Sequence, residues 1–319
     1  MNTTISVGLL CCVAFTLALA LCTFFAKYWL AELITHWQLH MAVFCLMLCV
    51  LLFLKQHQFL GLWMLLLCVG LVIPIGSAFV AAKQPAGTIK DSLRLLQYNI
   101  QYRNNEFAQK GVPWILRQDA DIVILQEVHQ DRANELGPLK EHYPWHKVEL
   151  NPGRQALSKA IFSKLPVSQY NSEPTGGGHN RYAYMDITLP SGESLHVYEL
   201  HTPPPMSPQM AEWRMNDLSV IQNVLKKNNH PYKLLVGDLN CTIYSPYFRS
   251  ILINAHMHHA QQDWQMQGTW PRQAPFFMRI GIDHLLASPA IDIKSRTVGP
   301  TLGSDHTPML YELDVYTIN

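Results

Sequence analysis

Cysteine is almost absent from the larger and more polar part of this 319-residue chain. Six of the seven cysteines lie in the apolar first 83 residues, and Cys241 is the single one beyond them. This distribution excludes an internal disulfide framework in residues 84–319, and no Cys-x-x-Cys pattern is present to form a zinc site. Internal repeats and low-complexity tracts are also missing, so residues 84–319 have the sequence of an ordinary globular domain.

The first 83 residues carry little charge. Their permanently charged side chains are Lys27, Glu32, Lys55 and Lys83. The rest of the chain carries 21 basic and 22 acidic side chains, which gives a net charge of −1. Proteins that hold nucleic acid mainly through its phosphates usually present a basic face. The near-neutral balance therefore disfavours a non-specific nuclease, while the length suits one large domain with a sizeable core.

Three apolar runs fill the first part of the chain: Ile5–Phe25, Leu39–Leu54 and Phe59–Ala82. A helix needs about 20 apolar residues to cross the hydrocarbon core of a bilayer. We therefore expect three transmembrane helices. A cleaved signal peptide is the alternative for the first run, but no basic residues precede that run and no clear small-residue cleavage site follows it.

A short Pro- and Gly-containing stretch follows, so the sequence predicts a membrane anchor over 1–83, a linker over 84–92 and a soluble domain over 93–319. Strand-like runs in the soluble domain outnumber helical patterns, of which Ser207–Lys227 is the best. We expect an α/β fold in which two packed sheets carry helices on their outer faces, rather than a doubly wound parallel sheet.

Six short polar clusters recur at or near the ends of the strand-like runs. They are Leu96-Gln97-Tyr98-Asn99, Leu125-Gln126-Glu127, Glu199-Leu200-His201-Thr202, Gly237-Asp238-Leu239-Asn240, Ile282-Asp283-His284 and Ser304-Asp305-His306. Active sites gather at strand ends and in the loops beyond them. Metal-assisted phosphoester hydrolysis needs this inventory, because it uses carboxylates for a hard cation, a base for water and donors for phosphate.

Three of the clusters offer residues for binding a cation and positioning an attacking water. Glu127 emerges from a buried strand and offers a carboxylate to Mg²⁺, while Asn99 can hydrogen-bond that carboxylate or a phosphate. Gly237 allows a tight turn after its strand, so that Asp238 and Asn240 can align a water and donate to phosphoryl oxygens. Taken singly, each also has a plain structural interpretation as a strand end or a turn.

Two histidines of the clusters offer a hydrogen-bond donor to the phosphate and an acceptor for the proton of the attacking water. His201 can donate to a non-bridging phosphate oxygen. Asp305 can fix the tautomer of His306 or reach the metal, and His306 can take a proton from water. Asp283 offers a second carboxylate to hold the His306 imidazole.

In their order along residues 93–316, these clusters resemble the endonuclease/exonuclease/phosphatase superfamily. The resemblance implies a four-layer α/β sandwich and a phosphodiesterase or phosphomonoesterase that depends on Mg²⁺, with Mn²⁺ as a possible substitute. It also implies that Glu127 is the principal metal ligand, with Asn99 beside it and Asp305 in contact with the metal.

The same resemblance implies roles for the remaining polar residues. Asp238 would position the nucleophile, and Asn240 and His201 would contact the phosphate. His306 would act as general base or as a donor to the transition state, oriented by Asp283.

The side of the membrane that holds the soluble domain receives two conflicting indications. Lys27, Lys83, Lys90 and Arg94 would share one side and Lys55 the other, which favours a cytoplasmic domain by the positive-inside rule. The predicted spans, the proline-rich stretch after His201 and the Thr269-Trp270-Pro271 element resemble a bacterial membrane-anchored branch, which implies an extracytoplasmic enzyme. We expect a multi-pass inner-membrane protein with a periplasmic catalytic domain.

The expected function is that of a membrane-anchored, metal-dependent phosphodiesterase in which water attacks phosphorus in line. Its expected partners are the lipid bilayer and a phosphoester substrate, which would be a lipid headgroup, a nucleic acid or a small molecule; no protein partner is implied. One alternative is an endonuclease or exonuclease. Another is a catalytically inactive binding module on a membrane tether, against which the presence of Glu127 and His306 argues.

Overall fold

The computed structural model describes most of the chain beyond residue 27. The described residues are 28–78, 85, 87–151, 154–176, 179–260 and 268–318, together with 10, 12–14, 16–18, 20, 21, 25 and 26. They divide into two compact units. The first comprises Met1–Val80 with Cys241–Arg249, and the second comprises Ala81–Asn240 with Ser250–Asn319.

Three helices form the described body of the first unit: α1 (Trp29–Thr35), α2 (Gln38–Leu54) and α3 (Gln58–Ala78). α2 ends at a turn where Gln56 adopts a left-handed φ of 62°, which sends the chain back along α3. α2 and α3 pack through a buried apolar cluster. This cluster includes Met41, Cys45, Leu48, Leu52, Met64 and Leu71.

The structure supports the three predicted transmembrane spans only in part. No single described helix is long and apolar enough to cross a membrane. α1 and α2 together have the length and apolar composition of a span, although a bend of 66° separates them. The run Ile5–Phe25 lies largely outside the described residues. Three separate spans are therefore not supported by the part of the chain that the structure describes.

Twelve strands lie in the described residues of the second unit. They are β1 (Ile89–Asn99), β2 (Ile122–Gln126), β3 (Trp145–Glu149), β4 (Lys159–Ser163), β5 (Val167–Pro174), β6 (Arg181–Thr188), β7 (Ser194–Glu199), β8 (Lys233–Asp238), β9 (His258–His259), β10 (Asp283–Ala287), β11 (Ile291–Val298) and β12 (Met309–Tyr316). They form two mixed six-stranded sheets, ordered β11-β12-β1-β2-β4-β3 and β5-β6-β7-β8-β10-β9. The predicted α/β sandwich is confirmed.

Alternation along the central strands builds two cores. Ile122 and Ile124 of β2 contribute to a cluster that contains residues of both sheets. Val123 and Leu125 contribute instead to a cluster shared with the helices on the other side of the first sheet. This follows from the strand period of two, which points successive side chains to opposite faces. A strand buried on both faces reads as a continuous apolar run, as β2 does.

The remaining helices are α4 (Val112–Gln118), which follows a π-helical turn at Phe107–Gly111, α5 (Gly137–His142), α6 (Pro208–Lys227) and α7 (Pro246–Asn254). α6 confirms the strongest helical pattern of the sequence. Its N-cap is Ser207, whose Oγ accepts a hydrogen bond from the Met210 amide at 3.2 Å, and Pro208 occupies the first helical position. Ala211, Leu218, Ile221 and Leu225 lie on its buried face.

Candidate active site

Asp238 and Asp283 end and begin two adjacent strands. β8 pairs with β10 in antiparallel register, and Asp238 is the direct cross-strand partner of Asp283. The two residues are 1% and 0% exposed. Like charges directly opposite in a ladder repel each other, and burial removes the water that would screen them. Such a pair needs cationic or hydrogen-bonding partners nearby.

Gly237, which precedes Asp238 in β8, lies very close to Leu200 and Gln126. Its φ of +148° lies in a region that L side chains rarely adopt. A Cβ at this position would also overlap the Leu200 carbonyl oxygen and the Gln126 side chain. Gly237 lies within β8, where it pairs with His284, so the predicted tight turn does not occur at this residue. The glycine instead allows the strand to pass close to Leu200 and Gln126.

Asn99 and Glu127 lie at the ends of β1 and β2, which pair in parallel register with Asn99 opposite Gln126. The Asn99 amide nitrogen donates to Glu127 Oε1 and to Asp238 Oδ2, both at 3.0 Å. Glu127 adopts a left-handed φ of 59°, and its Oε2 accepts from the Tyr102 amide at 3.3 Å. The structure therefore brings the Asn99 side-chain amide together with the Glu127 and Asp238 carboxylates.

His306 lies between the two aspartates. Its Nδ1 is 2.9 Å from Asp283 Oδ2, and its Nε2 is 3.6 Å from Asp238 Oδ2. Burial alone would lower the pKa of this histidine, but the Asp283 and Asp238 carboxylates outweigh burial and raise the pKa to about 10. Burial likewise raises the pKa of Asp283, but the His306 imidazolium overcomes this effect and holds that pKa below its usual value. The structure thus favours a charged His306.

Asp238 has the opposite electrostatic balance. Burial and the neighbouring Asp283 raise its pKa to about 6, against the opposing influence of His306 and His201. Its Oδ1 accepts a hydrogen bond from the Asn240 amide at 2.9 Å, which fixes the orientation of the carboxylate. A carboxylate with a pKa near the working pH is suited to proton transfer.

His201 and Asn240 flank the same carboxylate. His201 Nε2 lies 3.7 Å from Asp238 Oδ2 and 3.9 Å from Glu127 Oε1. The Asn240 side-chain amide donates to the Thr202 carbonyl at 2.8 Å, and Asn240 has a left-handed φ of 46°. Left-handed φ values at non-glycine residues cluster at functional sites, and Glu127 and Asn240 both show them.

Asp305 makes its hydrogen bonds with the segment around Trp270. Its Oδ2 accepts from the indole of Trp270 at 3.1 Å, and its carbonyl oxygen accepts from the Arg272 amide at 2.8 Å. Asp283, not Asp305, makes the close contact with the His306 imidazole. The preceding Ser304 hydroxyl donates to the Asn99 carbonyl at 2.8 Å, which ties this turn to the end of β1.

A network of buried polar side chains lies beneath the site, and the sequence did not predict the roles of its members. The Gln97 amide donates to Asp283 Oδ1 and to Gln126 Oε1, both at 2.8 Å. The Gln126 amide in turn donates to Glu199 Oε1 at 2.7 Å, and Lys159 forms an ion pair with Glu199. The network joins strands of both sheets and orients Asp283. The signal in the sequence was that Gln97, Gln126 and Glu199 lie inside the strand-end clusters.

The donor set fits a divalent cation. In the part of the chain that the structure describes, ligand atoms of Asp238, Asp283 and His306 lie within 4.8 Å of one another. Glu127 adds a further carboxylate, held against Asp238 through Asn99. Three carboxylates that converge in a buried volume carry more negative charge than one imidazolium offsets. Oxygen ligands of this kind suit a hard cation such as Mg²⁺.

The comparisons with known proteins agree with this geometry. Residues 96–306, about two thirds of the chain, match the family model described as Endonuclease/Exonuclease/phosphatase family. No curated protein is significantly similar to the chain in sequence.

Solved structures share the fold at low sequence identity. A family protein from Bacteroides thetaiotaomicron has a TM-score of 0.57 at 16% identity, with 71% of this chain and 99% of that chain covered. D. rerio TDP2 in complex with a single-strand DNA product has a TM-score of 0.58 at 13% identity, with 70% and 99% covered. Sphingomyelinase C from Streptomyces griseocarneus has a TM-score of 0.52 at 17% identity, with 70% and 99% covered.

Proposed function

The chain belongs to the endonuclease/exonuclease/phosphatase family, and on that premise we propose that it hydrolyses phosphodiesters with Mg²⁺ or Mn²⁺ as cofactor. One observation carries the proposal: the polar ends of β1, β2, β8 and β10 and the Ser304–His306 turn meet in one buried cluster. When bound, the cation offsets charge on the phosphate and favours ionisation of water. Glu127 would hold it, with Asn99 beside Glu127, and Asp305 remains a predicted ligand.

The two pKa shifts support separate proton-transfer roles for Asp238 and His306. Asp238, with a pKa of about 6, is largely ionised at neutral pH and can accept a proton from the attacking water. His306 is protonated over the same range, so it donates to a phosphoryl oxygen rather than acting as a base. Of the two roles that the sequence left open for His306, the electrostatics supports that of a donor.

The other polar side chains orient this pair and the phosphate. Asp283 holds the His306 imidazole through Nδ1, which leaves Nε2 directed toward Asp238. The Asn240 amide fixes the Asp238 carboxylate. His201 lies beside the Glu127 and Asp238 carboxylates, where its imidazole would donate to a phosphate bound at the site.

Association with a membrane belongs to the same proposal. α2 and α3 expose large apolar side chains on their outer surfaces, among them Met47 (59% exposed), Leu54 (75%), Phe59 (72%) and Trp63 (56%). A helix that is apolar on all sides needs protein or lipid around it. We infer that lipid covers these surfaces. Retention of the full chain in the membrane fraction after alkaline carbonate extraction would test the inference, and release into the supernatant would contradict it.

A lipid headgroup is the substrate class that the molecule supports best. The apolar helices would keep the enzyme at a lipid surface, and the near-neutral charge of residues 84–319 offers little attraction for a polyanion. Nucleic acid is the second candidate, because a solved structure of the same fold is a complex with a single-strand DNA product.

The test uses the full chain in detergent with Mg²⁺. Its substrates are bis-p-nitrophenyl phosphate, phosphatidylcholine and sphingomyelin vesicles, single-stranded DNA and plasmid DNA. We expect hydrolysis that EDTA abolishes and that Glu127→Ala removes, with the lipids cleaved faster than DNA. Faster cleavage of DNA would establish the nuclease alternative. Binding of lipid or DNA with no metal-dependent cleavage of any substrate would favour the inactive binding module.

A further inference from the structure

The segment Cys241–Arg249 is continuous in sequence with the candidate active site but packs with the N-terminal helices. In sequence it follows the Asp238-Leu239-Asn240 turn without a break. In space it is part of the compact unit that the N-terminal helices form. The partners of this segment are therefore side chains that lie some 200 positions earlier in the sequence.

Glu32 of α1 is the first of these partners. It is the single acidic residue among the first 83, and it is 1% exposed. The hydroxyl of Ser245, itself fully buried, donates to Glu32 Oε1 at 2.7 Å. A buried carboxylate costs several kcal/mol unless it is hydrogen-bonded or paired, so its presence in an apolar segment calls for a specific role.

His36, which follows α1, makes the second contact. Its Nδ1 lies 3.1 Å from the hydroxyl oxygen of Thr242, and both residues are buried. Glu32 and His36 lie about one helical turn apart, with 4.0 Å between Glu32 Oε2 and His36 Nε2. Thr242 and Ser245 are three positions apart, so the helix end and the segment meet at two points. Two contacts restrict rotation of the segment, which a single contact would not.

We propose that Glu32 and His36 are positioning residues for the hydrolysis proposed above. They hold Thr242 and Ser245 and, through the peptide that continues from Asn240, keep Asp238 and its Asn240 hydrogen bond in the catalytic geometry. The inference rests on the proposed function. It adds a positioning role for Glu32 and His36 to the residues of the candidate active site.

The physical reason is the sensitivity of catalysis to small displacements. A shift of about 1 Å at a reacting group can cost about 100-fold in rate. Asn240 already has a left-handed φ, and its carbonyl oxygen accepts from the buried Arg214 guanidinium. The turn is thus held on one side by Arg214. The contacts of Thr242 and Ser245 hold the chain immediately beyond it.

Paired substitutions in the full chain separate positioning from folding. Ser245→Ala removes the hydroxyl and Ser245→Thr retains one. Glu32→Ala removes the acceptor, whereas Glu32→Gln keeps an amide oxygen that can accept the same bond. Ser250→Ala is the matched control, because Ser250 lies on α7, which begins directly after Ser245, and its hydroxyl accepts from Asn254.

The first readout is the steady-state hydrolysis of bis-p-nitrophenyl phosphate with Mg²⁺. We expect both alanine variants at positions 32 and 245 to lower kcat about 10-fold with KM changed less than about two-fold. Ser245→Thr and Glu32→Gln should recover most of the rate, and the control should match wild type. Wild-type kcat in both alanine variants would overturn the inference.

The second readout is amide hydrogen exchange in the peptide 237–245, which needs no activity. Faster exchange in the alanine variants, with unchanged far-ultraviolet circular dichroism, is the expected result. Unchanged exchange would overturn the inference even if kcat fell. An active wild-type chain with unaffected variants refutes the positioning role alone. A wild-type chain without metal-dependent hydrolysis refutes the proposed function and the positioning role together.

Discussion

Asp238 and Asp283 are direct partners across the β8–β10 ladder, and both are buried. His306 contacts Asp283 at 2.9 Å and Asp238 at 3.6 Å, so one imidazolium serves two carboxylates. Burial and the charge of Asp283 raise the pKa of Asp238, while the two carboxylates raise the pKa of His306 against the effect of burial. Environments that push the pKa values of neighbouring groups apart assign them different proton-transfer roles.

Replacement of His306 by alanine should remove nearly all turnover and should lower stability without preventing folding, because the buried Asp238 and Asp283 carboxylates lose their imidazolium partner. The imidazolium donates to the developing negative charge, and such donors contribute about 10² to 10³ in kcat. Hydrolysis of bis-p-nitrophenyl phosphate and thermal unfolding would be measured together. His142→Ala is the control, because His142 is an exposed histidine that pairs with Asp119. Near-wild-type hydrolysis by His306→Ala would contradict the proposed site.

The metal-free protein should lose stability at high pH because of His306. The folded pKa of His306, about 10, lies above the ordinary value of about 6.5. Its stabilising contribution is therefore fully present below pH 6.5 and is lost as the pH rises through about 10. We expect a loss on the order of a few kcal/mol, measured as urea midpoints in EDTA between pH 6 and pH 11.

The matched variant for this experiment is Asp283→Asn, which removes the carboxylate that contributes most to the raised pKa. Its stability should be lower than wild type at pH 6 and should change less toward pH 11. Identical pH dependence in the two proteins would show that the Asp283–His306 contact does not hold the imidazolium.

Glu127→Gln should weaken the response to the cation. The change keeps the shape of the side chain but removes the charge that a hard cation prefers. We expect the Mg²⁺ concentration for half-maximal activity to rise at least about 10-fold, together with a lower maximal rate. Glu141→Gln, on the exposed face of α5, should titrate as wild type does. An unchanged Mg²⁺ titration in Glu127→Gln would remove Glu127 from the proposed metal site.

Gly237→Ala should destabilise the second unit by about 2–4 kcal/mol, because the φ is strained for L residues and the new Cβ meets Leu200 and Gln126. Gly137→Ala is the control, since a Cβ there meets nothing within 4 Å and lies at the start of a helix. Urea unfolding of both variants would test the difference. A Gly237→Ala midpoint equal to that of wild type would show that the backbone around residue 237 can adjust to the new side chain.

Much of the fold could be predicted because its central strands carry local signals. β2 reads as a continuous apolar run because both of its faces are buried, and α6 shows a helical stripe with a serine cap. The edge strands β3, β5 and β11 carry weaker patterns, because one side of an edge strand lacks a partner and many of its side chains are partly exposed. The apolar N-terminal runs predicted helices, but length and composition did not reveal the bend between α1 and α2.

The candidate residues for the chemistry could be chosen from the sequence alone, because strand-end position and residue type are local properties. Asn99, Glu127, Asp238 and His306 could all be chosen in this way. Only the tertiary structure decided how they are paired. Strand register made Asp283 the partner of Asp238, the Ser304–His306 turn brought His306 to Asp283, and the Trp270 indole donates to Asp305. Packing between distant segments placed Glu32 against Ser245, because a contact across some 200 residues depends on the folded chain and leaves no periodic trace in the sequence.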